Sequence, residues 1–362
     1  MPELNELLKS AVGLGASDVH LVPGSPPLVR VRGEVAPLPG AGALDGEGVR
    51  GLVYAALPEE QRARFEKNQE LDCSFALEGV SRFRMNVFVQ KDGVAAALRV
   101  IPARIPTPAE IGLTPAMAAL ADLPHGLVLV TGPTGSGKST TLASLVQQIN
   151  ASSRRHILTV EDPIEYSYRN DKSVVQQREV GQHTASFSEA LRRSLRQDPD
   201  VILVGELRDL ETISLAITAA ETGHLCFATL HTQDCAQTVD RMIDVFSPHQ
   251  QQQIRVQLSM ALKGVIAQVL IPKRDGTGRV AAREFMTVTT AIASVIRDGK
   301  THMIYSAIET GAKFGMFSMD QQLALLVRQG AITMEAAVSK ARDPEMMRKF
   351  VIGGAPTPAI TG

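Results

Sequence analysis

The strongest constraint on this chain lies at residues 125–150, which read HGLVLVTGPTGSGKSTTLASLVQQIN. Leu127, Val128, Leu129 and Val130 form an apolar run suited to a buried parallel strand. Behind it, Gly132-Pro133-Thr134-Gly135-Ser136-Gly137-Lys138-Ser139 fills the G-x-x-x-x-G-K-[ST] template. Leu142, Leu145, Val146 and Ile149 then recur at helical spacing. Strand, glycine-rich loop and helix therefore stand in the order that lets backbone N–H groups and a helix N-terminus surround a nucleotide phosphate. In that arrangement Lys138 neutralises phosphate oxygens, Ser139 holds Mg²⁺, and Thr140 follows in the first helical turn.

Composition narrows the class. At 362 residues with 44% hydrophobic side chains, the chain is long enough for two packed domains. The net charge of −1 provides no global basic field, so direct nucleic-acid binding is not expected. Three cysteines without paired spacing, and an opening unlike a secretory leader, predict a reducing cytoplasm. No apolar run approaches the roughly 18–20 residues of a membrane span.

Ahead of the loop, Leu4, Leu7, Leu8, Ala11 and Val12 predict a short amphipathic helix ended by Gly13 and Gly15. Residues 17–22 read as a strand, with Asp18 and His20 on one face, either a solvated polar face or part of a site. Residues 27–35 alternate around a Gly33-Glu34 turn. Residues 47–67 look helical and 71–77 extended. In 81–89, Phe83, Met85, Val87 and Val89 share one face, and Arg82, Arg84 and Asn86 the other. A turn at Lys91-Asp92-Gly93 leads into 94–101. Centred on Lys91-Asp92 it sets Arg84 opposite Arg99; shifted by one residue it gives that place to Asn86. Facing arginines repel, so the pair makes sense with an anion between or beside it, or as solvated sheet arginines. Prolines 102, 106, 108 and 115 mark residues 102–114 as a stiff linker. The first domain, residues 1–101, is a small α+β unit.

Beyond the loop, strands and helices alternate as in a parallel sheet with crossovers. Residues 156–160 form a strand that runs into Glu161-Asp162-Pro163-Ile164-Glu165, carboxylates at the strand end where open α/β sheets bind ligands. A helix over 187–196 precedes the buried strand 201–204, which ends in Gly205-Glu206 and resembles a Walker B segment. The usual aspartate before the glutamate is Gly205 here. If Glu206 serves Mg²⁺ through its water shell, another carboxylate must orient the attacking water, and Glu165 is the candidate. A helix from Asp209 to Glu221 leads to a third buried strand, 224–232. His224, Cys226, His231 and Cys235 match no standard zinc spacing. His231 instead suits a γ-phosphate sensor or an interface donor. His224 reads either as a satisfied core or interface histidine or as a neighbour of the nucleotide. Helices over 235–245 and 248–262, a strand pair at 265–271 and 279–288, and a helical remainder with a capping box at Ser318 and Gln321 complete a domain over 115–352. Residues 353–362 read as a disordered tail.

These segments together resemble the secretion and pilus ATPase superfamily, and most closely its type IV pilus retraction, or twitching motility, branch. Residues 161–165 look like its Asp box, 204–209 like its Walker B segment and 222–232 like its His box. The likeness also reaches Gly15-Ala16-Ser17-Asp18-Val19-His20-Leu21 and Met303-Ile304-Tyr305-Ser306-Ala307-Ile308. It implies an α/β architecture in which a PAS-like N-terminal domain precedes a RecA-like P-loop NTPase domain with C-terminal helices. It further implies ATP and Mg²⁺ as ligands, a homohexameric ring, and an inner-membrane platform protein as partner, with the ring cytoplasmic and peripheral to that membrane. On this likeness Glu165 matches the catalytic glutamate, in agreement with the inference from Gly205. Arg84 and Arg99 match N-terminal-domain arginines that reach the nucleotide phosphates.

One departure falls at residues 291–298. Retraction ATPases carry AIRNLIRE there; this chain has Ala293 and Ser294 in place of the arginine and asparagine. Alternatives are therefore an accessory retraction paralogue, a pilus extension or type II secretion ATPase, whose four-cysteine zinc site this chain lacks, and a RecA-like DNA translocase.

Overall fold

The computed structural model describes residues 2–31, 33–101 and 104–353. It divides into two compact units, Met1–Arg104 with Glu165–Ser167, and Ile105–Ile164 with Tyr168–Gly362.

The first unit is an antiparallel sheet backed by helices. Its strands are β1 (Asp18–Leu21), β2 (Leu28–Val31), β3 (Glu34–Pro37), β4 (Glu70–Leu77), β5 (Ser81–Gln90) and β6 (Gly93–Ile101), in the order β3-β2-β1-β6-β5-β4. The amphipathic opening becomes a helix over Pro2–Gly13 that buries Leu4, Leu8 and Ala11. The helical span around residues 47–67 is two helices, Gly46–Ala56 and Glu59–Asn68. They part at Leu57-Pro58, because proline lacks the N–H a continuing helix requires. Val31 pairs with Glu34, so Glu34 lies in the strand rather than in the turn where the sequence reading put it.

Gln90 pairs with Gly93, which makes Lys91 and Asp92 the tight turn and sets Arg84 opposite Arg99. Strand period two then sends Phe83, Met85 and Val87 into the core with Val19, Leu21 and Leu98, and the arginines to the outer face. Val89, at the end of the same stripe, is 47% exposed because the core stops short of it.

The second unit is built on a seven-stranded sheet: β7 (Gly126–Thr131), β8 (His156–Glu161), β9 (Val174–Glu179), β10 (Val201–Val204), β11 (Leu225–Leu230), β12 (Leu262–Pro272) and β13 (Arg279–Thr287). Its order is β13-β12-β7-β11-β10-β8-β9. All neighbours are parallel except β12 and β13. Strand β7 lies between β11 and β12, while β8, next in the chain, sits beyond β10. That reversal marks a switch point, with a crevice at the carboxyl ends of the strands.

Helices cover both sheet faces, so β7, β10 and β11 are buried along their whole length. On one face the helix Lys138–Ser152 packs Leu142, Leu145, Val146 and Ile149 against Val128, Val130, Phe227 and Ile266. On the other, Leu129, Ile202, Val204 and Ala228 meet Ile213, Ile217, Val239 and Met242. Strand β9 was not expected from the sequence; as an edge strand it has no continuous apolar run to announce it.

Of the expected linker at 102–114, residues 102 and 103 lie outside the described residues. The chain belongs to the second unit from Ile105, Leu113 is buried, and the carbonyls of Ile111 and Gly112 accept hydrogen bonds from Arg283. At the other end, Ser318 and Gln321 form the expected capping box, and the last helix, Pro344–Gly353, buries Met347. The expected tail begins inside that helix at Gly353; the rest of it lies outside the described residues. Cys73, Cys226 and Cys235 form no disulfide, and all three are buried. Burial pushes Cys226 up to about 12 and Cys235 well above the usual thiol range. Among the described residues, no helix is long and apolar enough to cross a membrane.

Candidate active site

Gly132 leaves the end of β7 at φ +140, where an added Cβ would lie 2.1 Å from the Gln268 carbonyl oxygen. No side chain fits there, so β12 can press directly against the loop. Gly135 and Gly137 also turn through positive φ, and Gly137 begins the helix without a side chain to cap it. The first turn of that helix therefore opens toward the loop with no side chain laid over its N-terminus, the arrangement in which a helix start can receive an anion. Lys138 Nζ donates to the carbonyls of Gly132 at 2.8 Å and Pro133 at 3.2 Å, which folds its charge over the loop. Ser139 and Thr140 are half-buried in the first turn, and Pro133 and Thr134 are exposed.

Three strand ends converge beside this loop. The Gly132 N–H donates to Leu230 O at the end of β11, and the Leu207 N–H donates to Thr229 O one residue earlier. The loop, His231 and Glu206 therefore share the carboxyl end of the sheet. There Glu206 accepts from Arg208 Nη2 at 2.8 Å and lies 3.1 Å from His231 Nε2. Burial acts to raise the Glu206 pKa, but the Arg208 hydrogen bond and charge, together with His231, outweigh it and hold the carboxyl below its usual range. Arg208 stood in the sequence two residues beyond Glu206, yet its role was visible only once the chain turned.

Gly205 has a steric reason. Its N–H donates to Val160 O at 2.7 Å, and an added Cβ would sit 3.2 Å from Glu161 Cα and 3.3 Å from Val160 O. Any side chain here would require the end of β8 to give by a few tenths of an ångström. On that neighbouring strand Glu161 is half-buried and accepts from Thr159 Oγ1 at 2.6 Å and Gln177 Nε2 at 3.2 Å. Asp162 is exposed, and so is Glu165, which follows Ile164 and its hydrogen bond from N–H to Glu179 Oε2.

His224 does not join this group. It precedes β11, whose first residue pairs with Gly126, so the six residues of the strand, about 20 Å, separate it from His231 and the loop. Its Nδ1 lies 2.9 Å from Ala219 O and 3.3 Å from Thr222 Oγ1 at the end of the helix Leu210–Glu221. Within this chain His224 closes a helix end, and its reading as a nucleotide neighbour gains no contact with the loop from this geometry.

In the first unit, the facing arginines have carboxylates of their own. Arg99 Nε donates to Asp18 Oδ1 at 3.0 Å, Arg30 lies 3.9 Å from the other Asp18 oxygen, and Arg84 lies 3.7 Å from Asp72 Oδ1. The anions that relieve the repulsion are thus supplied by the flanking strands β1 and β4, and Asp18 is an ion-pair partner.

Sequence reasoning also missed Gln268. Its Nε2 donates to Ser136 O at 2.7 Å, and its Oε1 accepts from Thr141 Oγ1 at 2.9 Å. The signal was present: a lone amide within the apolar run GVIAQVLI. Among the described residues, no group of three His, Cys, Asp or Glu side chains could hold a metal ion. Magnesium would fit here in its ordinary manner, with Ser139 as one ligand and phosphate and water supplying the rest.

Known proteins resemble this chain over most of its length. The model of the family described as type II/IV secretion system protein matches residues 63–337. The chain is 49% identical over 343 residues to the type IV pilus retraction ATPase PilT of Pseudomonas aeruginosa, covering 95% of this chain and 99% of that protein. It is 47% identical over 321 residues to a twitching motility protein of Neisseria gonorrhoeae, covering 89% and 86%. The crystal structure of the pilus retraction motor PilT with bound ADP superposes with a TM-score of 0.90 at 46% identity, over 95% of this chain and 98% of that one.

Proposed function

The chain belongs to the type II/IV secretion system protein family, and from that premise we propose that it is an ATPase motor that retracts type IV pili. The observation that carries this reading is likeness to retraction ATPases over nearly the whole length of both chains, with the phosphate loop, Glu206 and His231 at the carboxyl end of one sheet.

The chemistry asks for positioning more than for covalent work. Phosphoryl transfer to water passes through a loose transition state with charge spread over phosphate oxygens. The loop amides of 134, 135 and 137, the first turn of the following helix and Lys138 bind the β- and γ-phosphates, and Ser139 would hold Mg²⁺, which when bound neutralises phosphate charge. Glu206, kept anionic by Arg208, orients the groups around the γ-phosphate together with His231. Glu165 takes the role of general base, because Gly205 carries no carboxylate and Glu161 is held by Thr159 and Gln177. Arg84 and Arg99 provide positive charge from the first unit, which we read as PAS-like; the second we read as RecA-like. The active form is a homohexamer, cytoplasmic and docked on a membrane platform protein, and it turns hydrolysis into withdrawal of pilin from the fibre.

Ala293 and Ser294 support a second reading as an accessory retraction ATPase. Both lie half-buried on the helix Thr290–Arg297. Deleting the gene and counting surface pili separates the readings: accumulation of unretracted pili is expected, normal retraction in the deletion strain points to the accessory role, and loss of pili overturns retraction. In purified protein, Lys138→Ala weakens nucleotide binding, while Glu165→Gln abolishes phosphate release and leaves binding intact. Undiminished release by Glu165→Gln would remove Glu165 from the role of base.

A further inference from the structure

Strands β12 and β13 pair Gln268 directly with Arg283. Both side chains are almost fully enclosed, at 2% and 5% exposure. Arg283 Nε donates to Gln268 Oε1 at 3.4 Å, Nη1 to Gly112 O at 3.2 Å and Nη2 to Ile111 O at 2.9 Å. Gln268 in turn donates to Ser136 O inside the phosphate loop and accepts from Thr141 on the helix behind it. One continuous buried path thus runs from the loop, through two side chains, to the segment by which the chain enters the second unit.

The electrostatics make this path stiff. Arg283 has only neutral partners: among the described residues no carboxylate lies within ion-pair distance of it. Its neighbour Glu284 points to the other side of the strand, where it accepts from the N–H groups of Cys235 and Met319. Burial lowers Arg283 to about 10, so it is still cationic at neutral pH. A buried cation without a counter-ion depends on oriented dipoles, here two carbonyls and one amide oxygen, and losing any of them leaves charge uncompensated. Neither the loop nor residues 111–112 can move alone without that loss.

We infer that Gln268 and Arg283 are positioning residues that tie the phosphate loop to residues 105–113, so that nucleotide at the loop is registered in that entry segment. The inference rests on the reading of 132–139 as the nucleotide loop. When phosphate draws the loop amides inward, Ser136 shifts with them; Gln268 follows its carbonyl, Arg283 follows Gln268, and the carbonyls of Ile111 and Gly112 follow Arg283.

Hydrogen exchange on the full-length assembled protein, with and without Mg-ADP or a non-hydrolysable ATP analogue, tests the tie. In the parent, nucleotide should protect 132–142 and also change exchange at 105–113. In Gln268→Leu, protection of 132–142 should persist while the response at 105–113 is lost, and the KM for ATP should rise roughly five- to tenfold, the worth of one buried hydrogen bond. Arg283→Lys keeps the charge but not the fork of donors, and should also lose the response at 105–113. A parent whose entry segment ignores bound nucleotide overturns the inference even if neither variant folds, and so does a full response in either variant. Absence of protection at 132–142 in the parent would instead overturn the nucleotide-loop reading.

Discussion

Glu206 shows how far one side chain departs from its sequence context. Its carboxyl lies below the ordinary 4.5 because Arg208 and His231 together exceed the opposing effect of burial. A depressed folded pKa gives stability that is present above 4.5 and is lost as pH falls through the lower folded value. Replacing Arg208 with alanine leaves burial less opposed, so the acid limb of the kcat–pH profile should move to higher pH; an unmoved limb would show that Arg208 does not set this ionisation. The sequence placed Glu206, Lys138 and Ser139 because local motifs carry their chemistry. It could not place Gln268 or Asp18 in their roles, since Gln268 meets Ser136 from 132 positions away and Asp18 meets Arg99 from 81. Pairings of that span exist only after the strands have found their order.

Among elements, legibility followed continuity of pattern. Buried strands β7, β10 and β11 and the helix Lys138–Ser152 could be read directly, because burial on both faces writes unbroken apolar runs and burial on one writes a helical stripe. The edge strand β9 left no such trace, and prolines 106 and 108 hid a segment that belongs to the second unit. Loop geometry gives a graded prediction. Gly132→Ala would place a methyl group 2.1 Å from a strand carbonyl at a strained φ, and should destabilise by about 3 kcal/mol or more while weakening nucleotide binding. Gly205→Ala meets backbone at 3.2 Å, which a shift of a few tenths of an ångström relieves, and should cost about 1 kcal/mol. Chemical denaturation of both variants checks the order; equal costs would mean that the backbone at 132 yields more readily than its enclosure implies.

At the scale of the whole molecule, the two units divide the proposed work: the second holds the phosphate loop, and the first carries Arg84 and Arg99 on the outer face of its sheet. Arg84→Ala and Arg99→Ala should therefore lower turnover about tenfold or more in protein confirmed as a hexamer by light scattering, and leave nucleotide binding by dissociated subunits unchanged. Full turnover in the assembled variants would return both arginines to the role of solvated sheet residues paired with Asp72 and Asp18. The enclosure of all three thiols has a practical side. With Cys73, Cys226 and Cys235 buried, and the latter two held far from thiolate at neutral pH, maleimide dyes should find nothing to react with in the folded protein. A cysteine introduced on each unit would then accept donor and acceptor fluorophores against a silent background, so the distance between the units could be followed with all three native thiols left in place.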